Sequence, residues 1–241
     1  MSRILITRPQ EDAEALAARL RALGHEVLIE PLLEIVYLDH PPPDLKEFQA
    51  VLFTSANGVR ALVRASEGRS LPVFAVGKAT ADTAIRSGFW NVSSADGDVE
   101  ALARLVIGRC RPQAGGLLQI AATERAGDLA GRLSAAGFAV RRDIRYEARP
   151  AAALSPATAA ALAAGAIDAV LLFSPRTARA LARLLAAAGL TEAVRRVTAV
   201  CLSDAVAAAA DSPWKALRVA ARPDLEALLE RVAEEGERSG S

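Results

Sequence analysis

Apolar residues gather in short runs, separated by longer stretches in which they recur every three or four positions. The runs at 4–7, 26–29, 51–54, 73–76, 117–120, 169–173, 197–201 and 217–220 predict β-strands. Most are apolar without alternation, which suits parallel strands covered on both faces. Between them, 11–23 places Ala15, Leu16, Leu20 and Leu23 on one stripe, and 98–109 does the same with Leu102, Leu105 and Val106. That is the pattern of amphipathic helices. Leu23-Gly24-His25 and Ala136-Gly137-Phe138 read as left-handed glycine stops between a helix and the next strand. Strand and helix signals that alternate over short connections predict an α/β fold with doubly wound parallel sheets.

The pattern also repeats. Residues 50–62 (AVLFTSANGVRAL) and 169–181 (AVLLFSPRTARAL) share seven of thirteen positions at a shift of 119, and 16–27 shares seven of twelve with 129–140. Ser55 with Ser174, Arg60 with Arg179, Arg19 with Arg132 and Gly24 with Gly137 are matches that abundant alanine cannot explain. A weaker pairing joins 73–81 to 197–205. Two copies of one α/β unit follow, each of roughly 110 to 120 residues, and two similar lobes make a cleft the place to look for function. Two segments fit neither sheet: 35–38, followed by His40 and a triple proline, and 140–149, which alternates with period two. Their equivalent places after the echoed helix and strand predict two strands that cross between lobes. The last five residues, ERSGS, predict a frayed tail.

Composition narrows the possible chemistry. Net charge is +1 with acidic and basic residues interspersed, so there is no basic face for nucleic acid. Apolar runs are broken before the ~18 residues of a membrane span, and MSRILITRP enters a strand without a signal segment. Two cysteines and no disulfide framework point to the cytoplasm. Two histidines offer neither metal-ligand spacing nor a Ser-His-Asp triad. There is no GxGxxG or Walker pattern, which disfavours NAD, FAD and ATP. What the strand ends do carry is small hydroxyls, bases and helix starts: Thr7-Arg8, Thr54-Ser55-Ala56-Asn57-Gly58, Gly77-Lys78-Ala79-Thr80, Ser174-Pro175-Arg176-Thr177 and Ser203-Asp204. Free N–H groups there favour anions, so the rim suits a multiply negative ligand. Taken singly, Ser55 and Ser174 are equally good helix caps, Asn57-Gly58 a turn signal, and Arg8 and Lys78 solvated charges. Tyr146 lies on the second crossing segment and reads as packing or as a phenol facing the cleft.

The ordered set LITRP, FTSANGV, VFAVGKATA, GFAV followed by IRYEA, LLFSPRTARAL and VTAVCLSDA resembles the uroporphyrinogen III synthase family over 3–232. The resemblance implies two similar doubly wound lobes joined by a two-stranded antiparallel connector: 1–35 with 150–241, then 41–144, with 36–40 and 142–149 as the crossing strands. It implies a hydro-lyase that needs no cofactor, closing hydroxymethylbilane to uroporphyrinogen III with ring D inverted, in the cytoplasm. It further implies a monomer, with transient contact to the preceding pathway enzyme. Carried over by motif, Ser55, Asn57, Thr80, Ser174 and Ser203 become substrate contacts beside Arg8, Thr54, Lys78 and Arg176, and Tyr146 the group that helps the hydroxyl leave. Cys201-Leu202 stand where the family has glycine and then a small residue or proline, and Asp204 where it has a second hydroxyl. A carboxylate there disfavours an anion unless it points away or pairs with Arg176 or Lys78. Two other readings stay open: a catalytically silent relative acting as an anionic-ligand binding or regulatory module, and a two-lobed protein for another anionic metabolite.

Overall fold

Strands form where the apolar runs stand, and alternate residues of each run are buried under helices on opposite faces of a sheet. The structure, a computed structural model, describes residues 1–124 and 127–238. In chain order the elements begin with β1 (Arg3–Ile6), α1 (Gln10–Ala22), β2 (Glu26–Ile29), β3 (Leu33–Tyr37), β4 (Phe48–Phe53), α2 (Ala56–Ala65), β5 (Val73–Ala75), α3 (Lys78–Arg86) and β6 (Val92–Ser94). They continue with α4 (Val99–Arg109), β7 (Gly116–Ala122), α5 (Leu129–Ala135), β8 (Val140–Pro150), α6 (Pro156–Ala163), β9 (Ala169–Leu172) and α7 (Pro175–Ala187). The last are β10 (Thr198–Cys201), α8 (Asp204–Ala209), β11 (Ala216–Val219) and α9 (Leu225–Arg238). The chain divides into two units, Met1–Glu34 with Arg149–Ser241, and Ile35–Ala148.

The first unit holds a parallel sheet ordered β11-β10-β9-β1-β2. Leu5, Val170 and Ala199 face a core closed by Leu162 of α6, Leu181 of α7 and Val206 of α8. Ile4, Ile6 and Val200 face the opposite core, under Leu16 and Leu20 of α1 and Leu228 of α9. Each such side chain is worth about 1.5–3 kcal/mol when fully buried, so alternation along four-residue strands is enough to seat helices on both faces. Gly24, at φ 84°, turns the chain from α1 into β2 as the glycine stop predicts. Glu30, buried just past β2, accepts hydrogen bonds from the Ser155 amide at 2.9 Å and from the hydroxyls of Ser155 and Thr158, fixing the start of α6.

The second unit holds a sheet ordered β3-β8-β7-β4-β5-β6, parallel from β8 to β6. Val51, Phe53, Leu118 and Ile120 face α2 and α3, while Ala50, Leu52 and Leu117 face α4 and α5. Phe53 meets Phe89 edge to face with centroids 6.0 Å apart. The period-two segment assigned to neither sheet is β8, and it pairs with β7 from Val140 to Tyr146. β3 lies beside it, the Leu38 amide donating to the Arg145 carbonyl at 2.9 Å and the Ala151 amide to the Leu32 carbonyl at 3.0 Å. The 38/145 and 32/151 pairs run in opposite senses, the antiparallel pattern. β6 was not predicted, because a three-residue, part-buried edge strand containing two serines carries no apolar run. Where fraying was expected, α9 continues through Glu237 and Arg238; residues 239–241 of that tail lie outside the described residues.

The echoes explain the topology. They match β4-α2-β5 to β9-α7-β10 and α5-β8 to α1-β2, and in that correspondence β8-β7-β4-β5-β6 has the order of β2-β1-β9-β10-β11. The chain is therefore two tandem copies, β1 to α4 and β7 to α9, whose halves are exchanged. One unit joins the first two strands of copy one to the last three of copy two, and the other unit does the reverse.

Candidate functional site

In an open α/β sheet a ligand crevice forms where neighbouring strands send their following helices to opposite faces. In the second unit that point lies between β4, followed by α2, and β7, followed by α5. A cavity of about 440 Å³ opens there, with Thr54, Ser55, Gln119, Arg142 and Tyr146 in its lining.

Tyr146 reaches it because the β7–β8 register slips by one residue: Ala121 pairs with Ile144, but Ala122 pairs with Tyr146. A bulge of this kind re-aims the next side chain. The ring belongs to the buried cluster that includes Val59, Leu62 and Ile120 and is 5% exposed, while Ser55 lines the same cavity and acts on its phenol. Burial pushes the phenol pKa up; the Ser55 hydrogen bond and the Arg142 guanidinium pull it back only in part. Ser55 itself is the extended N-cap of α2, accepting from the Asn57 amide at 3.2 Å. Its hydroxyl thus joins a helix terminus to a neutral phenol, a chain that can hand a proton or a hydrogen bond to a leaving oxygen.

Two lining residues escaped the sequence reading. Gln119 is 8% exposed, and its Oε1 is sealed from solvent with no hydrogen-bond partner. Arg142, its register partner on β8, donates to the Ala122 carbonyl and is paired with no carboxylate among the described residues. The only hint was a lone polar residue inside the apolar run LLQIA. Carboxylates are present as well: Asp128 caps α5 by accepting from the Gly131 amide at 3.1 Å, and Glu124 stands nearby.

The cavity brings together Thr54, Ser55 and Tyr146, and the other predicted residues lie elsewhere. Asn57 is buried and accepts from Arg60 Nη1 at 2.7 Å. Gly58 allows α2 to approach β7, since a Cβ there would stand 3.3 Å from the Ile120 carbonyl oxygen. Lys78 is exposed at the first position of α3, whose Gly77 cap supplies no side chain, and Thr80 is buried one turn in. In the first unit the equivalent switch point lies between β1 and β9. There Arg8 stacks over Phe173 at 4.7 Å and reaches Asp12 at 3.7 Å. Ser174 closes a capping box with Thr177, and Arg176 is part-buried in the same first turn of α7. Ser203 sits at the cap position of α8 without making a cap bond, and Asp204 is exposed. Among the described residues no cluster of three or more His, Cys, Asp or Glu could hold a metal ion, and no helix is long and apolar enough to cross a membrane.

The uroporphyrinogen-III synthase HemD family model matches residues 14–230. A protein of Methanocaldococcus jannaschii, provisionally named uroporphyrinogen-III synthase, is 40% identical over 57 residues, 24% of this chain; the chain spans 24% of that relative's length in the match. Among solved structures, uroporphyrinogen-III synthetase of Helicobacter pylori aligns over 97% of this chain and 99% of its own, at 19% identity and a TM-score of 0.66. A mutant uroporphyrinogen III synthase of Thermus thermophilus aligns over 99% and 100%, at 19% identity and a TM-score of 0.56. At such identities the structures establish a shared fold.

Proposed function

The chain belongs to the uroporphyrinogen-III synthase family, and on that premise we propose that it is a hydro-lyase closing hydroxymethylbilane to uroporphyrinogen III with ring D inverted. The observation that carries the reading is the buried, neutral Tyr146 phenol held against Ser55 in the switch-point cavity. The C–O bond of the ring A hydroxymethyl breaks as the pyrrole nitrogen pushes electrons outward, and the departing oxygen takes a proton from Tyr146 to leave as water. The substituted carbon of ring D then attacks the exposed methylene, giving a spiro intermediate. That intermediate fragments, and ring D rejoins through its other α-carbon; loss of the proton from that carbon restores the pyrrole and returns a proton to the site.

The substrate can also close unaided to the uninverted isomer, so the protein must favour one attack geometry over another. A hundredfold preference requires only about 2.7 kcal/mol between competing barriers. Two or three charge-assisted hydrogen bonds of ~1.5–3 kcal/mol each suffice. Thr54 and Ser55 supply such contacts in the cavity, and Asn57, Lys78 and Thr80 of the same unit and Arg8, Ser174, Arg176 and Ser203 of the other are proposed as further contacts by their motif positions alone. The protein works as a cytoplasmic monomer, transiently meeting the enzyme that makes its substrate.

Incubating purified protein with hydroxymethylbilane and resolving the type I and type III products tests this. Predominantly type III product is expected, and type I at the spontaneous rate would refute the proposal.

A further inference from the structure

Gln119 is the most anomalous side chain of the cavity. A buried amide with no hydrogen bond at either end costs stability, and native proteins keep few of them without a use. Among the described residues neither its oxygen nor its nitrogen is bonded, and the oxygen is the sealed end. The nitrogen, with two N–H donors, is therefore the end open to the cavity. This orientation is also the favoured one, because a buried carbonyl tolerates a missing partner better than a buried N–H does. Beside it, Arg142 spends one nitrogen on the Ala122 carbonyl and keeps its remaining donors and full charge without a counter-ion among the described residues. The cavity's own carboxylates do not serve: Asp128 is engaged by the first turn of α5, and neither it nor Glu124 pairs with Arg142. Donors without acceptors on neighbouring strands, facing one cavity, define the group that is missing: an anionic acceptor with two oxygens.

We propose that Gln119 and Arg142 form a carboxylate subsite, the amide nitrogen and the guanidinium gripping one carboxylate of the substrate together. This rests on the polycarboxylate substrate of the preceding reading. The two residues are positioning contacts that fix one pyrrole ring by its acidic arm at a set distance from Tyr146, with no part in bond making.

The test titrates the protein with uroporphyrin, an octacarboxylate, and with coproporphyrin, a tetracarboxylate, by porphyrin fluorescence. Gln119→Met keeps the length of the side chain and removes its donors; Arg142→Gln removes the charge. Each is expected to weaken uroporphyrin binding about tenfold or more, with a smaller loss for coproporphyrin. The double variant should lose less than the product of the two, because both groups hold the same carboxylate. Arg142→Lys should restore much of the loss, and Gln119→Met should melt no lower than the parent, since it removes an orphaned oxygen. Should Gln119→Met fail to fold, the Arg142→Gln and Arg142→Lys pair reads the same subsite. Wild-type affinity in the single variants, or losses that multiply without interaction, would overturn the subsite. A parent protein that makes only type I product would refute the functional reading instead, and the porphyrin titrations would still report on the subsite.

Discussion

Tyr146, like any phenol with a pKa near 10, is neutral in the physiological range, and burial raises that pKa further; two expectations follow. In catalysis, Tyr146→Phe should lower the rate of type III formation by about 10–100-fold, below or within the range of general-acid effects. It should also enlarge the share of type I product, because unaided closure competes with a slower enzyme; an unchanged rate and isomer ratio would remove Tyr146 from the mechanism. In stability, a folded pKa above the unfolded value near 10 means that the Tyr146 contribution is complete at lower pH and is lost as pH rises through the folded value. The stability advantage of the parent over Tyr146→Phe should therefore shrink above about pH 10 in denaturant titrations. Cysteine gives a parallel case. Cys201 is fully buried and its thiol is pushed up to about 11, whereas Cys110 is part-exposed with a smaller rise. A thiol reagent at pH 8 should modify Cys110 slowly and Cys201 only after denaturation; two equally fast thiols in the native protein would contradict this.

At the scale of elements, successive helix starts of the first unit differ in what their serines do. Ser174 accepts from the Thr177 amide at 3.1 Å within a capping box, and Ser203 caps nothing. Ser174→Ala should cost about 1 kcal/mol by thermal or urea unfolding, while Ser203→Ala should be nearly neutral. If Ser203→Ala then raises KM, its hydroxyl is serving the substrate. The elements that sequence made plain are those in which a single period dominates: β4, β7, β9 and β10 as unbroken apolar runs, and α1 and α4 as stripes. β8 was harder to place because it alternates like an edge strand, Arg141, Arg142 and Arg145 breaking its apolar character, yet it pairs on both sides. Its charges are settled tertiarily: buried Arg145 pairs with Asp143 at 2.8 Å and holds the carbonyls of His40 and Pro41. The site was legible through Ser55 and Tyr146, since a serine at a strand end and an isolated tyrosine stand out. Gln119 and Arg142 were not, because only strand register shows them to be neighbours.

At the scale of the molecule, the exchanged halves decide which pieces of the chain can stand alone. Copy one of the tandem repeat, 1–111, contains β1 and β2 of one sheet with β4, β5 and β6 of the other, so it holds no complete sheet. Its central strands would each lack a neighbour: β4 without β7, and β1 without β9, exposing ladder edges, baring Leu5, whose face α6, α7 and α8 cover, and stripping α9 from Ile4 and Ile6. The segment 35–148, by contrast, is one uninterrupted stretch carrying β4 to β7 entire, β8 through the whole of its pairing with β7 and the last three residues of β3, with α2, α3, α4 and α5 over the two faces of that sheet. At 114 residues (148 − 35 + 1) it lies within the usual size of an independent domain. Expressed separately, 35–148 should be soluble, with dispersed amide resonances and one cooperative melt, while 1–111 should aggregate or remain without a melting transition. The repeat boundary and the folding boundary thus make opposite forecasts for fragments of nearly equal length. A cooperatively folded 1–111 beside an unfolded 35–148 would mean that the copies, and not the exchanged halves, are the folding units.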